Sequence, residues 1–399
     1  MHSLRLALLL GGLSSIVSAE DNRFTHLQLS TEYHGEGAAF GELNGDGHLD
    51  LVSGPYWYEG PDFKERHEYY PPNPKDPNRN GYTNDNFLVF VGDFNHDQWN
   101  DIFVVAFPGT TGHWFANPKG APGHWAKHLA LTGLGNESPA LEDLNRDGIP
   151  ELVCIREGAY GYARIDSHHP QSAWKFIPFS ESKNLNAYTH GLGLGDLNGD
   201  DRLDCLTKDG WYQQPKEWKE GQPWTFHAYD FRPSRRLPFP GGAQIFAYDI
   251  DGDGDQDLMM SLAAHGYGLA WFEQREDQGM RVFHQHTLLR DDGKATPFLE
   301  PFSQLHAMAL ADVNRDGLLD LITGKCRFAH GPAGDPDPQG DPVLYWMELS
   351  RSTSSRFIPH LIGRTSGVGR QIAVADLNGD HRPEIAIGNK TGTSVFWNH

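Results

Sequence analysis

The chain has 399 residues, 38% of them apolar and 22% charged, with a formal charge of −20 at neutral pH. That balance suits a folded chain rather than a disordered one, and the acidity, without any basic tail or stripe, argues against nucleic acid as a partner. With 45 glycines, 26 prolines, 12% aromatic residues and no long helical pattern, the composition predicts many short strands joined by turns.

In chain order, Arg5 is followed by an apolar stretch from Leu6 to Val17 and by small residues up to Ala19. This reads as a secretory signal, so residues 1–19 are expected to be cleaved and the remainder to be periplasmic or extracellular. The stretch is short and interrupted, and no later segment approaches the roughly 18 apolar residues of a membrane span. Cys154, Cys205 and Cys326 are too few for a disulfide framework; Cys154 and Cys205 sit in apolar runs where a buried thiol is the default.

A nine-residue pattern then recurs seven times, with oxygen-bearing side chains at positions 1, 3, 5 and 9. The first three copies are Glu42, Asn44, Asp46, Asp50; Asp93, Asn95, Asp97, Asp101; and Asp143, Asn145, Asp147, Glu151. The next two are Asp196, Asn198, Asp200, Asp204 and Asp249, Asp251, Asp253, Asp257. The last two are Asp312, Asn314, Asp316, Asp320 and Asp376, Asn378, Asp380, Glu384. First positions lie 51, 50, 53, 53, 63 and 64 residues apart, a period that fits one four-stranded unit per copy. Of the 53 carboxylates, 22 fall at these positions, which makes cation binding the economical source of the acidity.

Oxygens at positions 1, 3 and 5 of a tight loop converge on one ion, glycine at 6 allows the turn, and a carboxylate at 9 closes the shell. Ca²⁺ tolerates such an irregular cage better than Mg²⁺. The competing reading is an Asx-rich turn held by its own hydrogen bonds. Seven copies favour the ion, although Gln98, Asp201 and His381 replace the glycine in the second, fourth and seventh.

Each copy is preceded by a Gly-rich apolar strand and followed by a short apolar strand, an aromatic strand such as Trp57-Tyr58 or Trp271-Phe272, and an alternating fourth strand. The last unit stops after its aromatic strand, Phe396-Trp397, and the missing strand is expected at the other end of the chain, Phe24–Leu29. The expected fold is therefore all-β: residues 20–399 as one seven-bladed β-propeller of four-stranded antiparallel blades, closed by pairing the N-terminal strand with the last blade.

These motifs resemble the FG-GAP and VCBS repeat family, which implies calcium-bearing seven-bladed propellers. That family includes adhesion propellers of the integrin type and propeller parts of carbohydrate-active lyases. Tyr56–Pro61, Gly331–Pro338 and Leu344–Trp346 look most similar to standalone secreted bacterial members. Among enzymes, the resemblance extends to the propeller of aldos-2-ulose (anhydrofructose) dehydratases, which remove water from keto-sugars.

The position six residues before each loop opens the innermost strand and should ring the channel mouth. It reads Glu36, Phe87, Glu137, His190, Ala243, His306 and Arg370, with His34 two residues ahead of Glu36. Catalytic candidates are thus His34, Glu36, Glu137, His190, His306 and Arg370. Gln244 and Gln371 lie one step inward, and the loops between second and third strands add Arg156, Lys208, His265, Lys325, Arg327 and His330 as candidate substrate contacts. Two His and two Glu around a hole suit a second divalent metal, able to polarise a carbonyl, with Arg370 or Lys208 steadying the resulting negative charge. The expected activity is a metal-assisted lyase or dehydratase on a keto-sugar or sugar derivative; the alternative is a non-catalytic propeller that binds glycans or proteins.

Overall fold

The computed structural model describes residues 20–79, 81–83, 85–231, 240–352 and 355–399; the expected signal, residues 1–19, lies outside the described residues. Among the described residues every regular element is a strand. After β1 (Phe24–Ser30), the first sheet takes β2 (Ala38–Gly41), β3 (Asp50–Ser53), β4 (Tyr56–Tyr58) and β5 (Arg66–Glu68) in order. A seven-stranded sheet follows: β6 (Leu88–Gly92), β7 (Asp101–Val105), β8 (Thr110–Ala116), β9 (Ala126–Glu142), β10 (Glu151–Arg156), β11 (Ala159–Arg164) and β12 (Lys175–Pro178). Its long strand β9 pairs with β8 through its first half and with β10 through its second, so it ends one unit and begins the next.

The third sheet holds β13 (Gly193–Gly195), β14 (Asp204–Thr207), β15 (Gly210–Gln213) and β16 (Thr225–Ala228). The fourth holds β17 (Phe246–Tyr248), β18 (Asp257–Ser261), β19 (Leu269–Asp277) and β20 (Met280–Leu289). The fifth holds β21 (Met308–Ala311), β22 (Asp320–Gly324), β23 (Leu344–Ser350) and β24 (Arg356–Gly363). Finally β25 (Ile372–Ala375), β26 (Glu384–Asn389) and β27 (Gly392–Asn398) take β1 as their fourth strand, antiparallel, with Phe24 opposite Asn398 and Gln28 opposite Ser394. Just before β1, Asp21 accepts from Trp346 Nε1 of β23 at 2.8 Å, tying this end of the chain to the fifth sheet as well.

Each acidic loop joins the first strand of a unit to the second, which the alternation of sequence requires. The first strands pack on one another between sheets: β2 on β6 and β25, β13 on β9 and β17, and β21 on β25. Glycine makes this approach possible, since a Cβ on Gly193 would strike the Ile245 carbonyl and one on Gly41 the Val91 side chain. Residues of β6, β9, β13, β17, β21 and β25 line a common cavity of about 470 Å³.

Outward from these strands, the aromatic residue of the third strand stacks on a histidine directly opposite it on the fourth. Trp57 meets His67, Trp114 His128, Trp211 His227, Trp271 His286, Trp346 His360 and Phe396 His26, with ring centroids 4.1–4.8 Å apart. Histidines of the outer strands thus pack within their own sheets. The three cysteines are buried free thiols, and burial pushes the Cys154 thiol up to about 12.

Candidate functional site

The acidic loops use their carboxylates in two ways. Position 9 is almost wholly buried in every copy and accepts backbone N–H groups: Asp320 Oδ2 from Val313 at 3.0 Å and Oδ1 from Leu349 at 2.8 Å, Asp204 Oδ1 from Gln214 at 2.9 Å. The carboxylate therefore ties the loop to the third strand across the second. Position 1 accepts N–H groups of the turn itself, as Asp143 does from Asp147 and Gly148. Burial, with the neighbouring carboxylates adding to it, pushes position 9 up to about 6 at Asp50 and about 7 at Asp101, Glu151, Asp204, Asp257, Asp320 and Glu384.

This all-oxygen, anion-rich set has the chemistry that Ca²⁺ takes. Among the described residues, three carboxylates converge to within 4.8 Å at Asp249, Asp251 and Asp257, in the copy that carries aspartate rather than asparagine at position 3. The turn hydrogen bonds of the competing reading are present in the same loops.

The second candidate region is a cavity of about 380 Å³ walled by Tyr82, Phe107, Glu137, Tyr188, His190, Lys208, His265 and His330. No acidic-loop residue lines it. Its walls come from the segments that lead into first strands and from the turns between second and third strands, which is why residues from eight separate stretches of the chain meet there. Glu137, on β9, lies at the centre: its Oε2 is 3.3 Å from His190 Nε2, 3.8 Å from His306 Nδ1 and 3.9 Å from Arg370 Nη1. Ligand atoms of Glu137, His190 and His306 all fall within 4.8 Å of one another. His306 Nε2 in turn lies 3.3 Å from His265 Nδ1. Burial first, then the neighbouring imidazoles, bring His306 far below its usual range and His265 down to about 3, so both rings are neutral.

Arg370 is fully buried, stacked 3.8 Å from the Tyr82 ring centroid, and its three guanidinium nitrogens have no hydrogen-bond acceptor among the described residues. Burial pulls its pKa down to about 9 against the opposing charge of Glu36, so it remains cationic at neutral pH. Glu36 is equally buried; it accepts from the Tyr33 hydroxyl, and burial raises its pKa despite Arg370 and Lys390 nearby. A donor set of one carboxylate and two imidazoles fits a divalent transition ion, while the adjacent guanidinium favours an anionic or polarised oxygen beside it.

Other expected contacts are engaged elsewhere. Gln244 donates to the Arg370 carbonyl and accepts from Met308 N, both at 3.0 Å, and Gln371 brackets Val89 by donating to its carbonyl and accepting from its N–H. These amides bridge first strands of different sheets and line the other cavity. His34 contacts Glu32 and stands edge-on to Tyr56; Arg156 pairs with Glu157, and Arg327 donates to Asn78. Lys325 is buried and donates to Ser303 Oγ at 2.7 Å and the Asp337 carbonyl at 2.6 Å. Lys208 pairs with Asp209 yet stays on the cavity wall. Sequence reasoning missed Tyr82, Phe107 and Tyr188, loop residues whose spacing carries no signal, and Asp335, which lies inside the Gly331–Pro338 segment.

Residues 93–154 match the model of an FG-GAP-like repeat and residues 368–396 that of the FG-GAP repeat. Two stretches of the chain are thus similar to FG-GAP repeats. The first spans two acidic loops, Asp93–Asp101 and Asp143–Glu151, and the second spans one, Asp376–Glu384. No curated protein matches the chain. Solved structures resemble it only distantly. The V. cholerae biofilm matrix protein Bap1 is 16% identical over 74% of this chain, with a TM-score of 0.35, and the chain spans only 42% of that protein. Rhamnogalacturonan lyase YesW is 12% identical over 97% of this chain and 74% of its own, TM-score 0.45. An Agrocybe aegerita lectin whose structure addresses recognition of non-reducing terminal N-acetylglucosamine is 14% identical over 94% and 85%, TM-score 0.47.

Proposed function

We propose that residues 20–399 form a single seven-bladed propeller, exported from the cell, whose acidic loops bind Ca²⁺ and whose histidine-lined cavity is a carbohydrate-active lyase site for a keto-sugar or sugar derivative. The observation that carries the catalytic reading is the meeting of Glu137, His190, His306 and Arg370, from four separate stretches of chain, where Glu137 and His190 also line a cavity of about 380 Å³ and His306 and Arg370 are buried against them. Ionisable groups converging in a concavity mark functional sites more often than structural ones.

In this reading Glu137, His190 and His306 hold a divalent ion, which would polarise a carbonyl and acidify the C–H bond beside it. Arg370, whose three nitrogens have no hydrogen-bond acceptor among the described residues, opposes negative charge that develops on the substrate oxygen. Tyr82, Phe107 and Tyr188 offer flat apolar faces to the sugar ring, and Phe107 and Tyr188 lie 5.5 Å apart between centroids. Lys208 contributes N–H donors for hydroxyl groups.

Keto-sugars and uronate oligosaccharides should yield an unsaturated product with new ultraviolet absorbance. His190→Ala and His306→Ala should lower turnover by at least ~100-fold, the scale of one lost general base or ligand, with an unchanged far-ultraviolet circular dichroism spectrum. Full activity in both variants would end the assignment. A binding role without catalysis draws its support from Arg156, Lys325 and Arg327, whose charges the protein already occupies. Glycan binding without turnover of any sugar would favour it.

A further inference from the structure

Beside the Glu137 set lies a second group of ligand-bearing side chains that the proposed lyase chemistry does not use. His265, His330 and Asp335 each bring one ligand atom to within 4.8 Å of the others. Asp335 Oδ1 is 2.8 Å from His330 Nδ1 and 3.8 Å from His265 Nδ1. A tetrahedral ion bound at about 2.0–2.1 Å places its ligand atoms roughly 3.3 Å apart, between those two separations.

The arrangement is built by several specific contacts. Asp335 Oδ2 accepts the backbone N–H groups of Ala329 at 3.1 Å and His330 at 2.8 Å, which turns Oδ1 toward the two rings. The chain can fold back from His330 to Asp335 because Gly331 takes a φ of +78° and because a Cβ on Gly334 would collide with the His330 carbonyl. Gln304 fixes the distance to the His265 turn. It donates its own N–H to Gly266 O at 2.7 Å and accepts through its side chain from Ala329 N at 2.8 Å. The Asp335 carboxylate is 4% exposed, while His330 stands half-exposed on the cavity wall. A buried carboxylate with two imidazoles is a net-negative set of mixed nitrogen and oxygen donors, with room on the cavity side for a further ligand.

We propose that His265, His330 and Asp335 form a second divalent-cation site of the zinc type, adjacent to but separate from Glu137, His190 and His306. Two imidazoles with one carboxylate select such an ion over Ca²⁺ or Mg²⁺, which take oxygen shells. The site stands on its own ligands and does not depend on the lyase reading. His306 and His265 separate the two sets, their facing nitrogens 3.3 Å apart.

The test is metal stoichiometry. Full-length secreted protein, stripped with chelator, is dialysed against Zn²⁺ in the presence of excess Ca²⁺, and bound zinc is counted by mass spectrometry. Wild type should retain one equivalent of zinc per chain more than Asp335→Asn or His330→Gln, while Glu137→Gln should keep that equivalent. Co²⁺ in place of Zn²⁺ should show a visible absorption band that His330→Gln removes. Asp335 also holds two backbone amides, so should Asp335→Asn misfold by circular dichroism, His330→Gln decides alone. Equal zinc in wild type and His330→Gln would overturn the proposal, leaving the contact with Asp335 a hydrogen bond only. Loss of the same equivalent in Glu137→Gln and His330→Gln would also overturn it, by showing one shared site.

Discussion

Replacing Asp320 by Ala tests whether position 9 is first of all a structural clamp. Asp320 is fully buried, and its two oxygens accept Val313 N at 3.0 Å and Leu349 N at 2.8 Å. Hydrogen bonds to a charged acceptor contribute about 1.5–3 kcal/mol each, and deleting the acceptor leaves two buried N–H groups unsatisfied. The gross loss is thus on the order of 3–6 kcal/mol. Part is offset, because burial that pushes Asp320 up to about 7 makes its charge costly to hold. The net expectation is about 2–4 kcal/mol, a sizeable share of a typical total of about 5–15 kcal/mol. Asp316→Ala is the control: in the same loop, Asp316 is exposed and accepts from Leu318 N and Asn314 Nδ2, so its loss should cost about 1 kcal/mol or less. Urea unfolding at pH 7.5 in the presence of chelator removes any contribution from calcium. If Asp320→Ala unfolds within about 1 kcal/mol of wild type, or no earlier than Asp316→Ala, the clamp argument fails.

Chelation should lower the melting temperature, and Ca²⁺ should restore it better than Mg²⁺; a melt indifferent to chelator would leave the loops as hydrogen-bonded turns alone. Deleting residues 20–30 removes β1 and the Asp21–Trp346 bond, exposing the β27 edge, so size-exclusion chromatography should show self-association and the melt should fall. A monomer with an unchanged melt would contradict this. His113 on β8 has its pKa lowered from 6.5 to about 4, by burial first and then by Lys127. Its neutral ring therefore favours the fold fully above pH 6.5, and that contribution fades as pH falls toward 4. His113→Gln should flatten the acid limb of stability by about 1 kcal/mol, after discounting for the ring's partial exposure; an unchanged limb would show that His113 does not titrate on unfolding.

What the sequence determined by itself is local. An Asx-rich turn sets its own conformation through contacts two to five residues apart, so Glu42–Asp50 and its six counterparts were legible, as were the short strands on either side. The β1–β27 pairing was legible too, because a unit with three strands at one end and a spare strand at the other has one economical partner. Glu137, His190, His306 and Arg370 could be singled out by counting back from each loop, since a regular repeat carries equivalent positions to equivalent places. Gln244 and Gln371 obeyed the same count, yet their amides bridge first strands of different sheets, because only the spacing between sheets decides whether a side chain meets solvent or a backbone group. Asp335, Tyr82 and Tyr188 lie in irregular loops with no period to count along. The meeting of Asp335 with His265 and His330 depends on Gln304, Gly331 and Gly334 holding separate loops together, and contacts of that kind exist only once the sheets have packed.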